Sequence, residues 1–270
     1  MSASMERELL FARLADALEK CDKGILATLG FLTPGEHLAA RRRLESLGRA
    51  GDAFFFGGYD TAERVCLFLL PEYLSGLLTE GDFSKEQVLP LLGEALEENL
   101  FAIRITGSGF RTLSHRDYLG SILALGVERD SFGDIALQND HEAVVFATRS
   151  IGKFLLENLT RVGADAVKCT PYTLDAAFTD GRRYEPIHDT VASPRLDCVV
   201  AALTNSSREE TARLIEAGLV EVDFEEATRK DLLLTPPASI SVRGHGRYRL
   251  LSFDGETRKG RLRMIGDRLV

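Results

Sequence analysis

Residues 193–223 read SPRLDCVVAALTNSSREETARLIEAGLVEVD, and this stretch decides how the end of the chain folds. It opens with Ser193-Pro194, a capping residue followed by the proline that helices favour in their first turn. Apolar residues then recur with the spacing of one helical face, at Leu196, Val199, Val200 and Leu203. A short helix is therefore predicted directly after the proline.

A second helix start follows at once. Ser207 and Glu210 have the spacing of a capping box, in which the serine accepts from the third helical amide and the glutamate reaches back. Gly218 suits the left-handed residue that ends a helix. Residues 219–224, LVEVDF, alternate apolar and polar side chains and therefore predict a strand.

The remaining residues predict further strands. Residues 240–243, ISVR, read as one short strand, and residues 247–264, RYRLLSFDGETRKGRLRM, read as a β-hairpin with its turn at Asp254-Gly255. On the return arm Arg261 and Arg263 fall on one face, because successive side chains of a strand point to opposite sides. The pleat of the strand thus collects basic side chains.

The charge of the chain is distributed unevenly. The formal net charge is −8, yet residues 190–270 hold 13 basic and 12 acidic residues, so residues 1–189 carry −9. Within the last part, Arg243–Arg268 holds eight basic and three acidic residues, a balance of +5. A basic segment on an acidic chain indicates a polyanionic partner, although a solvated basic edge strand would look the same.

The cysteines and the chain start bear on the compartment. Four cysteines lie far apart, and no pair has the spacing of a metal knuckle or a redox motif. The first 20 residues lack the apolar core of a signal peptide, and no apolar run approaches the roughly 20 residues that span a bilayer. We therefore expect a soluble, cytoplasmic protein with reduced thiols, no membrane partner, no metal, no cofactor and no small-molecule substrate.

The order of elements predicts an α+β fold with three parts. Residues 1–50 have helical periodicity, with a helix start at Thr33-Pro34, and form a helical N-terminal region. Residues 51–178 alternate strands with helices and predict an α+β domain. Residues 179–192 are polar and rich in turn formers, so they are interpreted as a linker. Residues 193–270 form the last domain.

A His-Arg-Asp triplet at residues 115–117 and Phe-Gly-Asp at residues 132–134 resemble kinase motifs at first sight. A kinase needs a metal-binding Asn five residues after the catalytic Asp, where this chain has Ile122, and its metal loop runs in the opposite order. Ser114 and Asp117 instead have capping-box spacing. His115 and Arg116 then lie at a helix N-terminus and predict an anion-facing edge.

The triplet Arg195-Leu196-Asp197 is similar to one in pseudouridine synthases, whose Asp is the nucleophile. Here it opens the last module, and no synthase-sized catalytic region follows it. We therefore predict no catalytic residue and no enzymatic activity. Two alternatives stay open: an RNA-modifying enzyme that uses Asp197, and a protein–protein adaptor, linked to cell division, that uses the acidic N-terminal half.

Residues 193–223 together with residues 239–250 resemble the S4-type RNA-binding domain, in which two short helices precede a strand turn. Five motifs occur in the order found in the YlmH family of bacterial RNA-binding proteins: FFFGGYDTAERVCLFLLP (54–71), LSHRDYLGSILALGVERDSFGDI (113–135), SPRLD (193–197), SVRGHGR (241–247) and GETRKGR (255–261). The resemblance covers nearly the whole chain from about Phe31. Each motif alone is weak, but their combination is specific.

This resemblance implies a middle domain of RNA-recognition type and a C-terminal S4-type domain. It also implies structured RNA as the partner, namely rRNA and tRNA on the large ribosomal subunit during ribosome-associated quality control. The family has, in addition, a historical link to cell division. These expectations come from the family and not from spacing or periodicity.

The residues of the last module give the RNA hypothesis a physical basis. Arg195 and Arg208 each begin a helix, so guanidinium groups and free helix amides can converge on phosphates. The full predicted RNA-binding set is Arg195, Ser207, Arg208, Arg213, Arg243, Arg247, Lys259 and Arg261. Such contacts do not read sequence, so RNA shape has to supply specificity.

Two further points qualify this set. Few aromatic residues interleave with the basic ones, with Tyr248 as the exception, which disfavours a single-strand stacking platform. An alternative for Arg208 or Arg243 is a structural ion pair with a nearby carboxylate such as Asp231.

Overall fold

The computed structural model describes residues 3–78, 84–175 and 178–270. The chain forms two compact units, Met1–Gly181 and Arg182–Val270, and both combine helices with antiparallel sheets. The predicted α+β class is confirmed. Within the described ranges, no helix is both long and apolar enough to cross a membrane.

The first unit begins with a three-stranded antiparallel sheet of order β1-β3-β2 flanked by two helices. Its elements are α1 (Ala3–Asp22), β1 (Ala27–Leu32), α2 (Pro34–Ser46), β2 (Ala53–Phe56) and β3 (Val65–Leu69). Thr33 caps α2, as the sequence predicts, and it also forms a complete capping box with Glu36. Apolar residues of α1, among them Leu10, Leu14 and Leu18, pack on this sheet.

A second, five-stranded sheet follows in the same unit. Three short helices lead into it: α3 (Glu72–Ser75), α4 (Lys85–Leu92) and α5 (Glu94–Asn99). The remaining elements are β4 (Phe101–Gly107), α6 (His115–Ala124), β5 (Phe132–Asn139), β6 (Glu142–Ala147), α7 (Arg149–Asn158), β7 (Arg161–Val162) and β8 (Asp165–Pro171). The strand order is β5-β6-β4-β8-β7, with antiparallel neighbours.

The two faces of this sheet bury different partners. One face packs against α6 and α7, so that Tyr118 and Leu155 join Ile103 in one core. The opposite face carries Val144 and Phe146, which share a core with aromatic residues of the first sheet.

The predicted boundary between residues 50 and 51 is therefore wrong, because it divides a single sheet. Strand β1 lies in the region predicted to be helical, yet it pairs with β3, for example Ala27 opposite Leu69. Pairing across about 40 residues leaves no local sequence signal. Residues 1–50 accordingly contain a central part of the first unit's core.

The Phe-Gly-Asp motif has a structural role. The buried carboxylate of Asp134 accepts hydrogen bonds from Tyr59 Oη at 2.6 Å, from the Glu63 amide at 2.8 Å and from the Arg64 amide at 3.2 Å. Asp134 thus anchors the loop between β2 and β3. Gly133 lies against the Phe31 ring, where an added Cβ would come within 2.5 Å.

The second unit is a six-stranded antiparallel sheet covered by two helices. Its elements are β9 (Tyr184–Val191), α8 (Leu196–Thr204), α9 (Arg208–Glu216), β10 (Val220–Val222), β11 (Glu225–Glu226), β12 (Ala238–Val242), β13 (Gly246–Glu256) and β14 (Leu262–Leu269). The strand order is β11-β10-β12-β13-β14-β9. Both predicted helices are confirmed, and Gly218 ends α9 with φ +67°.

Two expectations for this unit are wrong. The predicted linker contains β9, which pairs with β14 along its whole length, from Tyr184 opposite Leu269 to Val191 opposite Leu262. As an edge strand, β9 buries only part of one face, so its composition looks like that of a linker. The hairpin turn lies at residues 257–261, whereas Asp254-Gly255 falls inside β13 at an irregularity in the register.

Candidate nucleic-acid interface

The two helices of the second unit are joined by one buried carboxylate, Asp197. Arg195 donates to it with two nitrogens, at 3.0 and 3.2 Å, and Arg208 donates at 2.7 Å from the start of α9. The Asp197 side chain is only 7% exposed, whereas those of Arg195 and Arg208 are 37% and 60% exposed. Asp197 therefore fixes two guanidinium groups at the surface. We call these three residues the arginine clamp.

The electrostatics of the clamp favour its ionised form. Burial of Asp197 opposes ionisation, but hydrogen bonds from Arg195 and then Arg208 outweigh it, so the pKa of the carboxyl is lowered to about 2. Hydrogen bonds to Asp197 are likewise the main cause of the raised pKa of both arginines. Because each guanidinium has five N–H donors, both arginines keep donors for a further anion.

The N-terminus of α8 is closed, which contradicts the expectation of free amides there. The Leu196 amide donates to the Leu232 carbonyl at 2.8 Å, and the Asp197 amide donates to the Lys230 carbonyl at 3.1 Å. The loop that supplies these carbonyls is more than 30 residues away in the chain, so the local pattern could not reveal it. Arg195 therefore acts through its side chain.

The N-terminus of α9 keeps the predicted geometry. Ser207 Oγ accepts from the Glu210 amide at 3.1 Å, which is one half of the predicted capping box. The amides of Arg208 and Glu209 precede any intrahelical partner and so remain donors at the surface. The Ser207 side chain is thus used in capping, and it positions Arg208.

Arg213, Arg243 and Lys259 are exposed but differ in their partners. Arg213 forms a surface ion pair with Glu209 at 2.6 Å, one turn earlier in α9, and such pairs contribute little stability. Among the described residues, the side chains of Arg243 and Lys259 make no hydrogen bond or ion pair. These two residues lie in the turns at opposite ends of β13.

The remaining two residues, Arg247 and Arg261, are held elsewhere on the sheet. Arg247 lies over the Phe224 ring, 5.8 Å from its centroid. Arg261 donates to Thr190 Oγ1 at 3.0 Å, on the edge strand β9. The predicted set is therefore divided: Arg195 and Arg208 meet at α8 and α9, while Arg247 lies on β13 and Arg261 ends the turn before β14.

The alternative pairing with Asp231 is wrong in its partner. Arg208 does pair with a carboxylate, but that carboxylate is Asp197, whereas Asp231 pairs with Arg229 at 3.3 Å. Tyr248 was the one aromatic residue expected among the basic ones, yet it is 3% exposed and lies in the core.

The predicted anion-facing edge lies in the first unit. Ser114 and Asp117 form the predicted capping box, and His115 and Arg116 are exposed at the start of α6. The preceding loop contributes Phe110, which is 94% exposed, next to the exposed Arg111. Phe110 is not among the residues predicted from the sequence. Its position in the run Gly-Ser-Gly-Phe-Arg, a glycine-rich loop with a basic neighbour, could have indicated an exposed aromatic residue.

Comparison with known proteins identifies the family. Residues 94–176, which comprise the five-stranded sheet and its helices, match a family model described as "Putative RNA-binding domain in YlmH". The chain is also 30% identical over 214 residues to the Bacillus subtilis (strain 168) protein "Ribosome-associated protein quality control protein P2", covering 79% of this chain and 77% of that protein. The chain belongs to the YlmH family.

A solved structure, "Cell division protein ylmH from Streptococcus pneumoniae", is also similar, at 17% identity and a TM-score of 0.46, covering 64% of this chain and 94% of that one. The YlmH domain matched at residues 94–176 gives this chain an RNA-binding role. That domain contains His115 and Arg116 but ends before the second unit. Within the described ranges, no three His, Cys, Asp or Glu residues form a metal-binding group.

Proposed function

We propose that this chain is a non-catalytic cytoplasmic protein that binds structured RNA, namely rRNA and tRNA on the large ribosomal subunit, in ribosome-associated quality control. The arginine clamp is the observation that carries the proposal, because it fixes two exposed guanidinium groups beside a helix N-terminus. The name of the Bacillus subtilis relative, which describes a ribosome-associated quality-control protein, supports it. In this proposal residues 182–270 are the S4-type RNA-binding domain.

The chemistry of the clamp fits a phosphate backbone. Guanidinium groups match phosphate oxygens with paired hydrogen bonds, and the amides at the start of α9 add donors and a favourable dipole. None of these groups reads bases, so the shape of a folded RNA supplies the specificity. Arg243 adds a cation that has no competing partner among the described residues.

The edge formed by Phe110, His115 and Arg116 gives the first unit a second point of RNA contact in this proposal. Phe110 offers a ring for base stacking, and Arg116 offers a cation for phosphate. Ultraviolet crosslinking of bound ribosomal RNA should therefore label the peptide that contains Phe110. Crosslinks confined to other peptides would exclude this edge.

The enzyme alternative assigns a different role to Asp197. In the clamp this carboxylate accepts three hydrogen bonds from two arginines, which suits a positioning group better than a nucleophile. If the chain modifies RNA through Asp197, the exchange Asp197→Asn abolishes a modification in cellular RNA. We expect an unchanged modification profile by mass spectrometry, and the loss of one modified nucleoside would favour the enzyme.

Sedimentation tests the ribosome proposal. Tagged wild-type protein in a cell lysate should travel with large subunits through a sucrose gradient, and an Arg208→Gln/Arg243→Gln variant should stay near the top. This variant leaves Arg195 to pair with Asp197. Lys20→Gln/Lys153→Gln is the matched control, because it removes two exposed charges from the first unit.

Two results would contradict the proposal. Wild-type protein that remains at the top at low salt, where phosphate contacts are strongest, has no affinity for the subunit. Equal sedimentation of both variants with subunits would place binding away from the clamp and favour the adaptor alternative.

A further inference from the structure

The sheet of the second unit has a face that the helices do not cover. Tyr248, Leu250 and Met264 point towards α8 and α9 and belong to the core. Because side chains alternate along a strand, their neighbours on β13, β14 and β9 point to the opposite side. We call this side the outer face. It carries residues 184, 186, 188 and 190 of β9, residues 247 and 249 of β13, and residues 263, 265 and 267 of β14.

One arginine on the outer face has a guanidinium group that is held in a fixed orientation and remains partly exposed. Arg249 donates two hydrogen bonds to Asp267, at 2.9 and 2.6 Å, and its guanidinium lies 3.5 Å from the centroid of the Tyr184 ring. The Arg249 side chain nevertheless remains 44% exposed. Tyr184 thus covers one side of the guanidinium plane while Asp267 fixes its orientation.

A second arginine–aromatic pair lies on the same face of the sheet. Arg247 lies over the Phe224 ring, and its strand position is opposite Ser241 of β12. Position 269 of β14, in the next strand, is opposite Tyr184. Both arginine–aromatic pairs therefore lie on the outer face, with Arg249 opposite Asp267 of β14.

The excess of positive charge on the outer face lies on the β13–β14 hairpin, whereas Glu221 and Glu226 share that face at the far edge of the sheet. Along β13, β14 and the turn that joins them, four arginines share this face: Arg247, Arg249, Arg261 and Arg263. The carboxylates on the same side of this hairpin are Asp254 and Asp267. Arg263 is exposed, and among the described residues its side chain has no hydrogen-bond or ion-pair partner.

We propose that the outer face is a second RNA-binding surface and that it takes unpaired nucleotides. Nucleobases stack on guanidinium planes and on aromatic rings, and a base that contacts the exposed part of Arg249 or Tyr184 would extend the Tyr184–Arg249 stack. In this proposal Arg263 on β14 and Arg261 in the turn before it supply cations for the neighbouring phosphates. This surface is separate from the arginine clamp, which suits the backbone of folded RNA.

Charge and shape decide between RNA and a protein as the occupant. The central strands carry twice as many arginines as carboxylates on this face, which suits a polyanion. Serine hydroxyls at Ser239 and Ser241 line the next strand and can donate to phosphate or ribose oxygens. This proposal shares with the proposed function only the class of ligand, RNA.

Fluorescence anisotropy of the purified full chain tests this surface with two labelled probes. One probe is a 12-nucleotide RNA without secondary structure, and the other is an RNA hairpin closed by a stable tetraloop. Arg249→Lys keeps the charge and a partner for Asp267 but removes the planar group. Arg263→Gln removes an exposed charge without disturbing a pair, and Arg208→Gln reports on the clamp.

We expect the wild-type chain to bind the single-stranded probe. Arg249→Lys should weaken that binding at least about fivefold, the lower end of the loss of one stacked base. Arg263→Gln should also weaken it, because a phosphate contact is lost. Both variants should leave hairpin binding within about twofold. Arg208→Gln should do the reverse. Single-strand binding that is absent in wild type, or unchanged in both outer-face variants, would overturn the proposal. If the wild-type chain does not bind the hairpin probe, that result counts against the arginine clamp as an RNA-binding site and not against the outer face.

Discussion

At residue scale, Asp197 connects folding with RNA binding. The sequence places it in a triplet that resembles a catalytic motif, but the structure shows a buried carboxylate that orients Arg195 and Arg208. A buried carboxylate of this kind is destabilising when a partner is removed, because the remaining charge lacks compensation. The same contact therefore stabilises the fold and prepares the surface for phosphate.

Exchange of Asp197 for Asn should lower the free energy of unfolding of the second unit by roughly 1–3 kcal/mol, since the charge that holds both arginines is lost. RNA affinity should fall as well, because Arg195 and Arg208 lose their fixed orientation. Urea denaturation and anisotropy with the hairpin probe measure the two effects. Asp231→Asn, in an exposed pair, is the control and should change neither by much.

The pH dependence of Asp197 follows from its lowered pKa. The carboxyl has a pKa of about 2 in the folded chain, below the ordinary value of 3.8, so the unfolded state binds the proton more readily. The resulting stabilisation of about 2 kcal/mol is complete above about pH 5 and is lost as the pH falls through 4 towards 2. Asp197→Asn should lack this component of acid unfolding. An identical acid profile in both chains would contradict the assignment.

His37 gives the first unit a pH dependence in a different window. Burial, and then the nearby charge of Arg41, lower the pKa of its imidazole to about 4 from 6.5. The folded state therefore keeps His37 neutral while the unfolded chain takes up a proton, and stability falls as the pH drops from 6.5 towards 4. Relative to His37→Gln, the wild type should lose about 2 kcal/mol between pH 7 and pH 4.5. If the difference in unfolding free energy between wild type and His37→Gln is the same at both pH values, this role of His37 is excluded.

At element scale, helix starts are the features that the sequence predicts best. Thr33, Ser114 and Ser207 all cap helices where their patterns indicate, because a cap depends on residues within one turn. Strand partners are predicted less well, since the partner of a strand can lie anywhere in the chain. Strands β1 and β9 were missed for that reason.

Ser207→Ala tests whether the cap of α9 positions Arg208. Loss of the hydrogen bond from the Glu210 amide should cost about 1 kcal/mol of stability and fray the turn that holds Arg208. Ser206→Ala is a matched control, because its hydroxyl makes only a 3.5 Å contact with the Thr204 carbonyl. Thermal denaturation of both variants should show a lower Tm for Ser207→Ala. Equal Tm values would show that the Ser207 side chain does not stabilise the start of α9.

Two glycines in the first unit should respond to alanine in opposite directions. Gly133→Ala brings a methyl group to within 2.5 Å of the buried Phe31 ring and should destabilise by roughly 1–3 kcal/mol. Gly120 lies inside α6 with no atom within 4 Å of an added Cβ, so Gly120→Ala should stabilise by about 0.5–1 kcal/mol. Chemical denaturation decides both signs. If Gly133→Ala is stabilising, the close packing of Gly133 against the Phe31 ring is contradicted.

At the scale of the whole molecule, the sequence predicts the α+β class and the family. The predicted set of RNA-binding residues, however, combines residues that lie on two different surfaces of the second unit. The sequence does not distinguish Arg208 from Arg261, yet Arg208 donates a hydrogen bond to Asp197 and Arg261 donates one to Thr190. Tyr184 lies in the predicted linker, 65 residues before Arg249, so the stack that they form has no local pattern. Conversely, the loop at residues 230–234 closes a helix end that the sequence leaves open. Non-local pairing accounts for each of these differences.

The most direct measurement is the affinity of the purified chain for purified large ribosomal subunits over a range of salt concentrations. Wild type should bind with a steep dependence of log Kd on log salt, because arginines that contact phosphates release counterions. Arg208→Gln/Arg243→Gln should bind more weakly, with a slope smaller by about 2, one for each lost phosphate contact. Lys20→Gln/Lys153→Gln should match wild type. If Arg208→Gln/Arg243→Gln keeps the affinity and slope of wild type, the arginine clamp is not the RNA-binding surface, and the central claim fails.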